Sequence, residues 1–459
     1  MYDPLLNPEL REYITTNNIE AIRVFAEKNP PALTAEYLAA FAPTEIWKVI
    51  RVVKPAIGAE ILSFLDDDVQ TEIAATVKRD EIARLLTEMS ADDRVDLLKN
   101  IPEERREAIM PALAKAERED IRRLSAHEEG TAGSVMTSDY VTLAPNLTVT
   151  QAIDRLRLEA PDKETIYYAY VVDESRKLIG FVSLKDLILA RPNLRVGDIM
   201  HRGVISVHVA EDQEIAARLI QKYDLLALPV INGGDALVGI ITHDDAIDII
   251  TQEHTEDMEK FMAIGGSHAD AVYMKTSVWG HFRNRSPWVV ALAMLGLVSG
   301  FIVQSFEGLL LQFAVLAAFM PMLADTGGNT GSQSATLVIR ALALKEISTR
   351  DILSILTREF RVALLLGILL GVIAFARVIL FGGGSTMPEQ YSLVTIGLAI
   401  SLALGLQVVT STLIGALLPL GAARMKLDPA VVASPALTTV VDITGLMIYF
   451  MTAKLMLGI

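Results

Sequence analysis

Leu427–Leu457 reads LDPAVVASPALTTVVDITGLMIYFMTAKLML. From Pro429 onward the run is apolar and long enough to cross a bilayer as one helix, which takes about 20 residues. One carboxylate, Asp442, stands in its middle. Thr438 and Thr439 lie four and three residues before it and Ser434 two turns away, so hydroxyls share the helical face of the acid. A charge at bilayer depth is costly, faces protein or water, and marks a functional position. A buried Asp bonded to a neighbouring helix is the plain alternative, but hydroxyls aligned with the acid suit an ion path better.

The charge of the whole chain is uneven. Its 459 residues are 51% hydrophobic with a formal net charge of −15. Residues 287–459 hold 9 Lys and Arg against 8 Asp and Glu, which leaves 32 against 48 for residues 1–286. A soluble acidic body therefore precedes a nearly neutral membrane domain. Such acidity disfavours nucleic acid and favours cations. With no cysteine, disulfides and thiolate metal sites are excluded. The stretch MYDPLLNPELREY has no basic region followed by an apolar run, so no secretory signal is expected there.

Residues 1–130 read as short helices, with apolar residues at three- and four-residue spacing in EIARLLTEM and DDRVDLLKNI. Start signals recur at Ala42–Glu45, Asp66–Asp68, Ser90–Asp93 and Pro102–Glu104. Ser90 with Asp93 makes a capping-box pattern, and Pro102 suits a first helical position. Helices of about ten residues cannot bury a face alone, so a stacked superhelix is expected. Asp92 and Asp96 lie one turn apart; taken alone they are first-turn acids that complement the helix dipole.

An internal repeat follows. Gly133-Ser-Val-Met136 matches Gly197-Asp-Ile-Met200, Leu178-Ile-Gly180 matches Leu237-Val-Gly239, and Ser183-Leu-Lys-Asp186 matches Thr242-His-Asp-Asp245. Each copy alternates β-rich runs with amphipathic helices. This order resembles a tandem CBS pair. In that family the Ser/Thr-x-x-Asp at the last helix can hold an adenosine ribose; by itself the motif reads equally as capping by Ser183 and Thr242. Tyr167, Tyr168 and Tyr170 can stack on a base or belong to the core. Then comes Asp244–Ala263, whose polar side carries Asp244, Asp245, Asp248, Glu253, Glu256, Asp257 and Glu259 with Lys260 as counter-charge. Acids so close repel unless cations neutralise them. Gly265-Gly266 is expected to end this helix. His243, His254 and His268 show no metal-ligand spacing.

Five spans are expected: Trp288–Phe306, a broken Leu309–Leu342, Val362–Phe381, Ser392–Leu420 and Ala430–Leu457. Arg283 and Arg285 precede the first, Arg340, Lys345, Arg350, Arg358 and Arg361 lie between the second and third, and Arg424 and Lys426 between the fourth and fifth. The other loops hold Glu307 and Glu389. By the positive-inside rule the soluble body is cytoplasmic; Arg377 and Lys454 are placed to snorkel at outer ends. In the second span Pro321, Gly327, Gly328 and Gly331 weaken a helix, while Asp325, Asn329, Gln333 and Ser334 put polar groups at membrane depth. Gln407, Thr410, Ser411 and Thr412 add a polar band to the fourth, and Asp428 puts an acid at the cytoplasmic mouth.

These parts in this order resemble the bacterial magnesium channels of the MgtE family over nearly the whole chain. The most specific motifs are Gly327-Gly-Asn-Thr-Gly-Ser-Gln333 and Pro435-Ala-Leu-Thr-Thr-Val-Val-Asp442. The resemblance implies an all-α superhelical N domain (1–130), an α/β tandem CBS pair (131–195 and 196–245), an acidic connecting helix (246–270) and an α-helical membrane domain of five transmembrane helices (271–459). It implies a Mg²⁺ channel of the bacterial cytoplasmic membrane, not an enzyme, working as a homodimer in the lipid bilayer. Asp442 then binds Mg²⁺ at the two-fold axis, with Asp428, Asn329, Ser434 and Thr438 along the same path. Regulatory Mg²⁺ falls to Asp92 and Asp96, to Asp212, Glu214 and Asp224, and to Asp245, Asp248, Glu253, Glu256 and Asp257. ATP falls to the CBS pair at Asp186 and Tyr168. The chemistry agrees, since Mg²⁺ dehydrates reluctantly and suits a pore that holds the hydrated ion with a few oxygens. Competing classes are a membrane-anchored sensor that conducts nothing, which has no need of intramembrane acids, and a CBS-regulated anion channel, which the acidic path disfavours. No nucleophile-elbow or P-loop motif supports an enzyme.

Overall fold

Apolar residues spaced for helices in the first 130 positions form ten α-helices of 7–10 residues. From the second helix to the eighth each packs on the helix two further along, so two rows build up. Pro31–Leu38, Pro55–Ser63, Arg79–Glu88 and Glu103–Ile109 make one row; Pro43–Ile50, Asp67–Thr76, Ala91–Asn100 and Lys115–Leu124 make the other. This is the expected superhelix. Its start signals act in more than one way. Pro43 sits in the first helical turn, whereas Pro102 is the N-cap and Glu103 the first helical residue. The expected capping box at Ser90 is not made; its hydroxyl is drawn to the carboxylates of Asp92 and Asp93.

This computed structural model describes residues 6–265, 276–381, 391–429 and 434–458. Gly266, His268, Glu389 and the side chains of Ser434 and Pro435 lie outside the described residues. The chain divides into two units, Met1–Thr251 and Gln252–Ile459.

In the first unit the repeat becomes two three-stranded sheets of identical topology. β1 (Thr142–Leu143) runs parallel to β2 (Tyr168–Val172), which pairs antiparallel with β3 (Leu178–Ser183). β4 (Val207–His208), β5 (Ala227–Ile231) and β6 (Leu237–Thr242) repeat the pattern, with Tyr168↔Ser183 corresponding to Ala227↔Thr242. The repeated Met and Gly positions interlock reciprocally. A Cβ on Gly239 would lie 2.4 Å from Met136 Sδ, and one on Gly180 would lie 2.9 Å from Met200 Sδ. Thr137 bridges to Ile240, and His201 to Phe181. Each copy thus closes the sheet of the other. Apolar residues from Leu10 through Met136, Leu228 and Ile249 form one continuous core. The acidic helix spans His243–Phe261. It ends at Ala263 (φ 56°), before Gly265, with the N–H of Ile264 bonded back to Glu259 O.

In the second unit four helices among the described residues are long and apolar enough to cross a membrane. They are the first span Val278–Ser305, the third Ile352–Phe381, the fourth Leu393–Arg424 and the fifth Ser434–Leu457. The second span departs from expectation. Its glycine-rich stretch is one unbroken helix, Met320–Ala343, and the chain breaks earlier, around Phe313 and Phe319, between Glu307–Gln312, Ala314–Ala317 and that helix. Pro321 lies in the first turn, where a missing N–H costs nothing. Tyr449 donates to Leu316 O (2.9 Å), and Arg377 reaches Ala318 O (3.4 Å) and covers the Phe319 ring, so the broken segment is held from outside.

The glycines are used for close approach. A Cβ on Gly415 would stand 2.2 Å from Gly331 O, and Gly367 meets Gly405 backbone to backbone. Gly415→Ala should therefore lower the melting temperature of the detergent-solubilised protein, by the equivalent of about 1–3 kcal/mol of overpacking. Gly421→Ala, whose new methyl meets nothing within 4 Å, is the control. Equal melting temperatures for the two variants would show that the second and fourth spans do not pack as described.

Candidate ion pathway and regulatory sites

Asp442 is placed by the packing of the fifth span on the glycine face of the second. A Cβ on Gly327 would fall 3.0 Å from Val441 Cγ1, one on Gly328 3.3 Å from Thr438 Cγ2, and one on Gly331 3.5 Å from Val441 Cγ2. The glycines leave room for this close approach, which sets Thr438 and Asp442 beside the helix that carries Asp325 and Asn329. The Asn329 amide donates to Asp325 Oδ1 at 3.1 Å. Asp442 is half-buried, and its Oδ1 has no hydrogen-bond partner. A buried carboxylate oxygen without a donor is expensive, and a hydrated cation satisfies it.

The fourth span answers differently from its sequence. Thr410 and Thr412 bond to their own helix at Leu406 O and Val408 O, and Ser411 meets Thr330 across the helix pair (2.8 Å). The expected polar band is thus largely internal glue. Gln407 is 1% exposed, donates to Leu323 O (3.1 Å) and wedges between Gly327 and Gly445; its Oε1 is buried and unpartnered. Glu359, which sequence reasoning missed, accepts from Ser334 (2.8 Å). Its place among Arg358 and Arg361 gave it the look of a loop acid.

At the cytoplasmic end Lys260 Nζ lies 2.6 Å from Glu256 Oε1 and 3.4 Å from Asp428 Oδ2. The Gly265 N–H donates to Asn284 O of the first span (3.0 Å). The end of the acidic helix is thereby tied to two places in the membrane unit, with a lysine as the linking cation. Glu256 and Asp428 are brought together; Glu253 and Asp257 occupy the preceding and same turns of that helix.

In the first unit the sequence-derived acids divide. Asp92 is brought to Asp245 and Glu164, and Asp93 to Asp244. Asp92 Oδ1 is buried without a partner. Burial, then the charges of Asp245, Asp93 and Glu164, push the Asp92 carboxyl well above its ordinary range. Burial raises Asp245 to about 6 against the lowering effect of Thr242, with Asp244 and Asp93 adding to the rise. Glu164, which the sequence did not single out, is raised to about 7 by burial and by Asp245, Asp244, Asp93 and Asp139. Asp248 is raised too, by burial and by Asp244 and Asp93. Asp96 instead pairs with Lys99 of its own helix (3.2 Å). Asp212 and Glu214 start the helix Gln213–Tyr223, where Asp212 caps the Glu214 N–H and Glu214 pairs with Arg218; Asp224 ends it. Eleven residues, about 16 Å of helix, separate them, so these three are not one site. Among the described residues no three His, Asp or Glu side chains converge as a metal cage.

Ser183 caps as expected, accepting from the Asp186 N–H, whereas the Thr242 N–H and hydroxyl both donate to Asp245 Oδ2. Tyr168 stands edge-on to Phe181 at 5.5 Å. Tyr170 is core, 2% exposed with its hydroxyl on Ala227 O, and Tyr167 is exposed. A carboxylate near aromatic rings is a setting that a nucleoside suits.

An acidic intracellular superhelix joined to a CBS pair, followed by a multi-pass bundle with intramembrane acids, defines a regulated cation transporter. Models of known families agree: an MgtE intracellular N domain over residues 29–130, CBS domains over 132–193 and 196–252, and a divalent cation transporter over 320–452. A magnesium transporter MgtE from Thermus thermophilus is 37% identical over 412 residues, 89% of each chain. One from Bacillus subtilis is 34% identical over 391 residues, covering 85% of this chain and 84% of its own. The cytosolic domain of the Mg²⁺ channel MgtE, solved in complex with ATP, superposes with a TM-score of 0.51 at 35% identity, over 53% of this chain and all of that one. The chain belongs to the MgtE family of magnesium transporters: a multi-pass membrane protein with its N-terminal region in the cytosol.

The raised carboxyls carry a sign. A group whose pKa is higher folded than unfolded binds protons more tightly in the packed state, so its penalty appears as pH rises from the ordinary carboxylate range through about 6 to 7. In chelator, melting temperature should therefore rise when pH is lowered from about 8 to about 6, and millimolar Mg²⁺ should flatten that dependence. Asp92→Asn should flatten it without Mg²⁺. A melting temperature that ignores both pH and Mg²⁺ would refute the cluster.

Proposed function

We propose that two copies of the chain form a Mg²⁺-selective pore with Asp442 of each at the axis, gated by cytosolic Mg²⁺ at the acidic faces of the soluble body. The observation that carries this is the intramembrane Asp442, set by the glycine face of the second span with an unpartnered oxygen. One copy supplies half a ring of acids, and rings of Asp are how cation pores select charge. Asn329 and Thr438 add neutral oxygens to the wall, Ser434 is assigned to the same path from its place in the sequence, and Asp428 gathers ions at the mouth. The role is conduction, with no bond made or broken. In this reading residues 1–130, the CBS copies 131–195 and 196–245, the helix 246–270 and the domain 271–459 act as sensor, sensor, coupler and pore.

Gating follows from like charges. Burial and the charges of Asp245 and Glu164 raise the Asp92 carboxyl, and the charge of Asp245 raises that of Glu164. Each close pair costs on the order of 1–4 kcal/mol at a protein surface. Mg²⁺ offsets that cost, so high cytosolic Mg²⁺ favours the packed, closed arrangement and low Mg²⁺ releases it. Acids of the helix, with Asp248, Glu253, Glu256 and Asp257, respond in the same direction, and the Asp212, Glu214 and Asp224 positions contribute as separate weak sites. ATP at Asp186 and Tyr168 would tune the equilibrium by binding one arrangement better.

Two measurements test this. In proteoliposomes Asp442→Ala should abolish selective Mg²⁺ uptake in a folded protein, and Asp442→Asn should retain the shape but lose charge selection, while Asp428→Ala should reduce uptake less because a mouth acid is screened. Wild-type flux through Asp442→Ala overturns the pore assignment. In excised patches Lys260→Met, which removes the cation between Glu256 and Asp428, should shift the Mg²⁺ needed for closure severalfold upward. An unchanged closing concentration would show that this contact has no part in the gate.

A further inference from the structure

The two Ser/Thr-x-x-Asp motifs are equivalent by sequence and register, yet they face different neighbours. Asp245 meets the acids of the N domain. Asp186 meets a cation-forming ring: His201 Nε2 lies 3.0 Å from Asp186 Oδ2. The same oxygen accepts the Ser183 N–H at 3.1 Å and the Ser183 hydroxyl at 2.5 Å. Three donors converge on it, and two are fixed by the turn. The His201 ring is held from both sides of its chemistry. Its backbone exchanges both hydrogen bonds with Phe181, at 2.9 and 3.1 Å, and its imidazole stacks on the Phe181 ring at 5.1 Å and 27°. In the other copy the corresponding position is Thr137, fully buried and without a titratable group.

We propose that His201 belongs to the nucleotide site and sets its affinity, by occupying on Asp186 the place that a ribose hydroxyl must take. This rests on the assignment of a nucleoside to Asp186. The imidazole is the side chain that changes charge near neutral pH. Protonated, it adds an ion pair to its hydrogen bond with Asp186 and opposes the ribose more strongly; neutral, it yields. Burial would raise the Asp186 carboxyl, but the Ser183 bonds and His201 outweigh it and hold the group below its ordinary range. The carboxylate is therefore held in its ionised form. The other groups around the pair are Lys185 and Arg202, both exposed, Tyr168 beyond Phe181, and Asp198, which is turned to the Arg195 N–H (3.3 Å).

Binding of adenosine to the full-length protein in detergent, by calorimetry, tests this, because adenosine lacks the phosphates that a protonated imidazole would itself attract. From about pH 8 to about pH 6 the wild type should lose roughly three- to fivefold in affinity, the range of an exposed ion pair. His201→Asn should bind adenosine more tightly than wild type at the lower pH and show a flat profile; His201→Gln serves if the first variant is unstable. Asp186→Asn should bind weakly at both. Adenosine binding that is equally strong in wild type and both His201 variants at every pH overturns the proposal and leaves the nucleotide site standing. Absence of adenosine and ATP binding in all proteins, His201 variants included, removes the nucleotide site and the proposal with it. A flat profile for adenosine with a sloping one for ATP places the imidazole on the phosphates and overturns competition for the ribose.

Discussion

Carboxylates that lack a counter-charge are the constraint on which this molecule depends. The chain buries one oxygen of Asp92 among other acids and one of Asp442 among membrane helices, both without a donor. Neither arrangement is sensible for a protein that works alone in water. Both become favourable with a divalent ion that carries its own shell of water, because such an ion supplies charge and hydrogen-bond donors at once. In the proposed function the same physics serves transport and sensing, with the acid in the membrane on the ion path and those in the soluble unit as the sensor.

The two environments also show how far a motif determines its role. Ser183-x-x-Asp186 and Thr242-x-x-Asp245 start their helices identically. Packing then separates them. Acids around Asp245 raise its carboxyl, and donors around Asp186 lower its own. One copy is suited to a metal and the other to a neutral ligand with hydroxyls, although four residues of sequence are nearly the same. Duplication provided two sockets, and what packs against each decides what it accepts.

Much of this was legible in the sequence because it rests on spacing. Asp442 in an apolar run, the short capped helices and the repeated Gly, Met and Asp positions each reflect a local rule. The misreadings arose where one residue type serves two ends. Glycines of the second span suggested a broken helix, but they are flat surface for Val441, Thr438 and Gly415, and the break moved to Phe313 and Phe319, where aromatic packing and Arg377 hold it. Ala263 took the left-handed turn expected of the glycine pair that follows it. Asp212 and Glu214, which the family resemblance groups with Asp224, stand at the other end of one helix from it. Glu164, Glu359 and Gln407 were missed because their significance lies in partners far away in the chain, which no window of sequence contains.

The reciprocal fit of Met136 on Gly239 and Met200 on Gly180 reaches into the history of the fold. A single copy of the repeat has a methionine with no glycine to cover and an edge with nothing to close it. A lone ancestral copy could bury both only by meeting a second identical chain, each lending its methionine to the other in an isologous pair. Fusing the two genes turned that encounter into an intramolecular one, at an effective concentration no free partner reaches. It also released the copies from identity. Once joined, each half could drift on its own, and the divergence of Thr137 from His201 and of the surroundings of Asp245 from those of Asp186 became available only then. An asymmetric sensor is what a symmetric dimer acquires when its subunits become one chain.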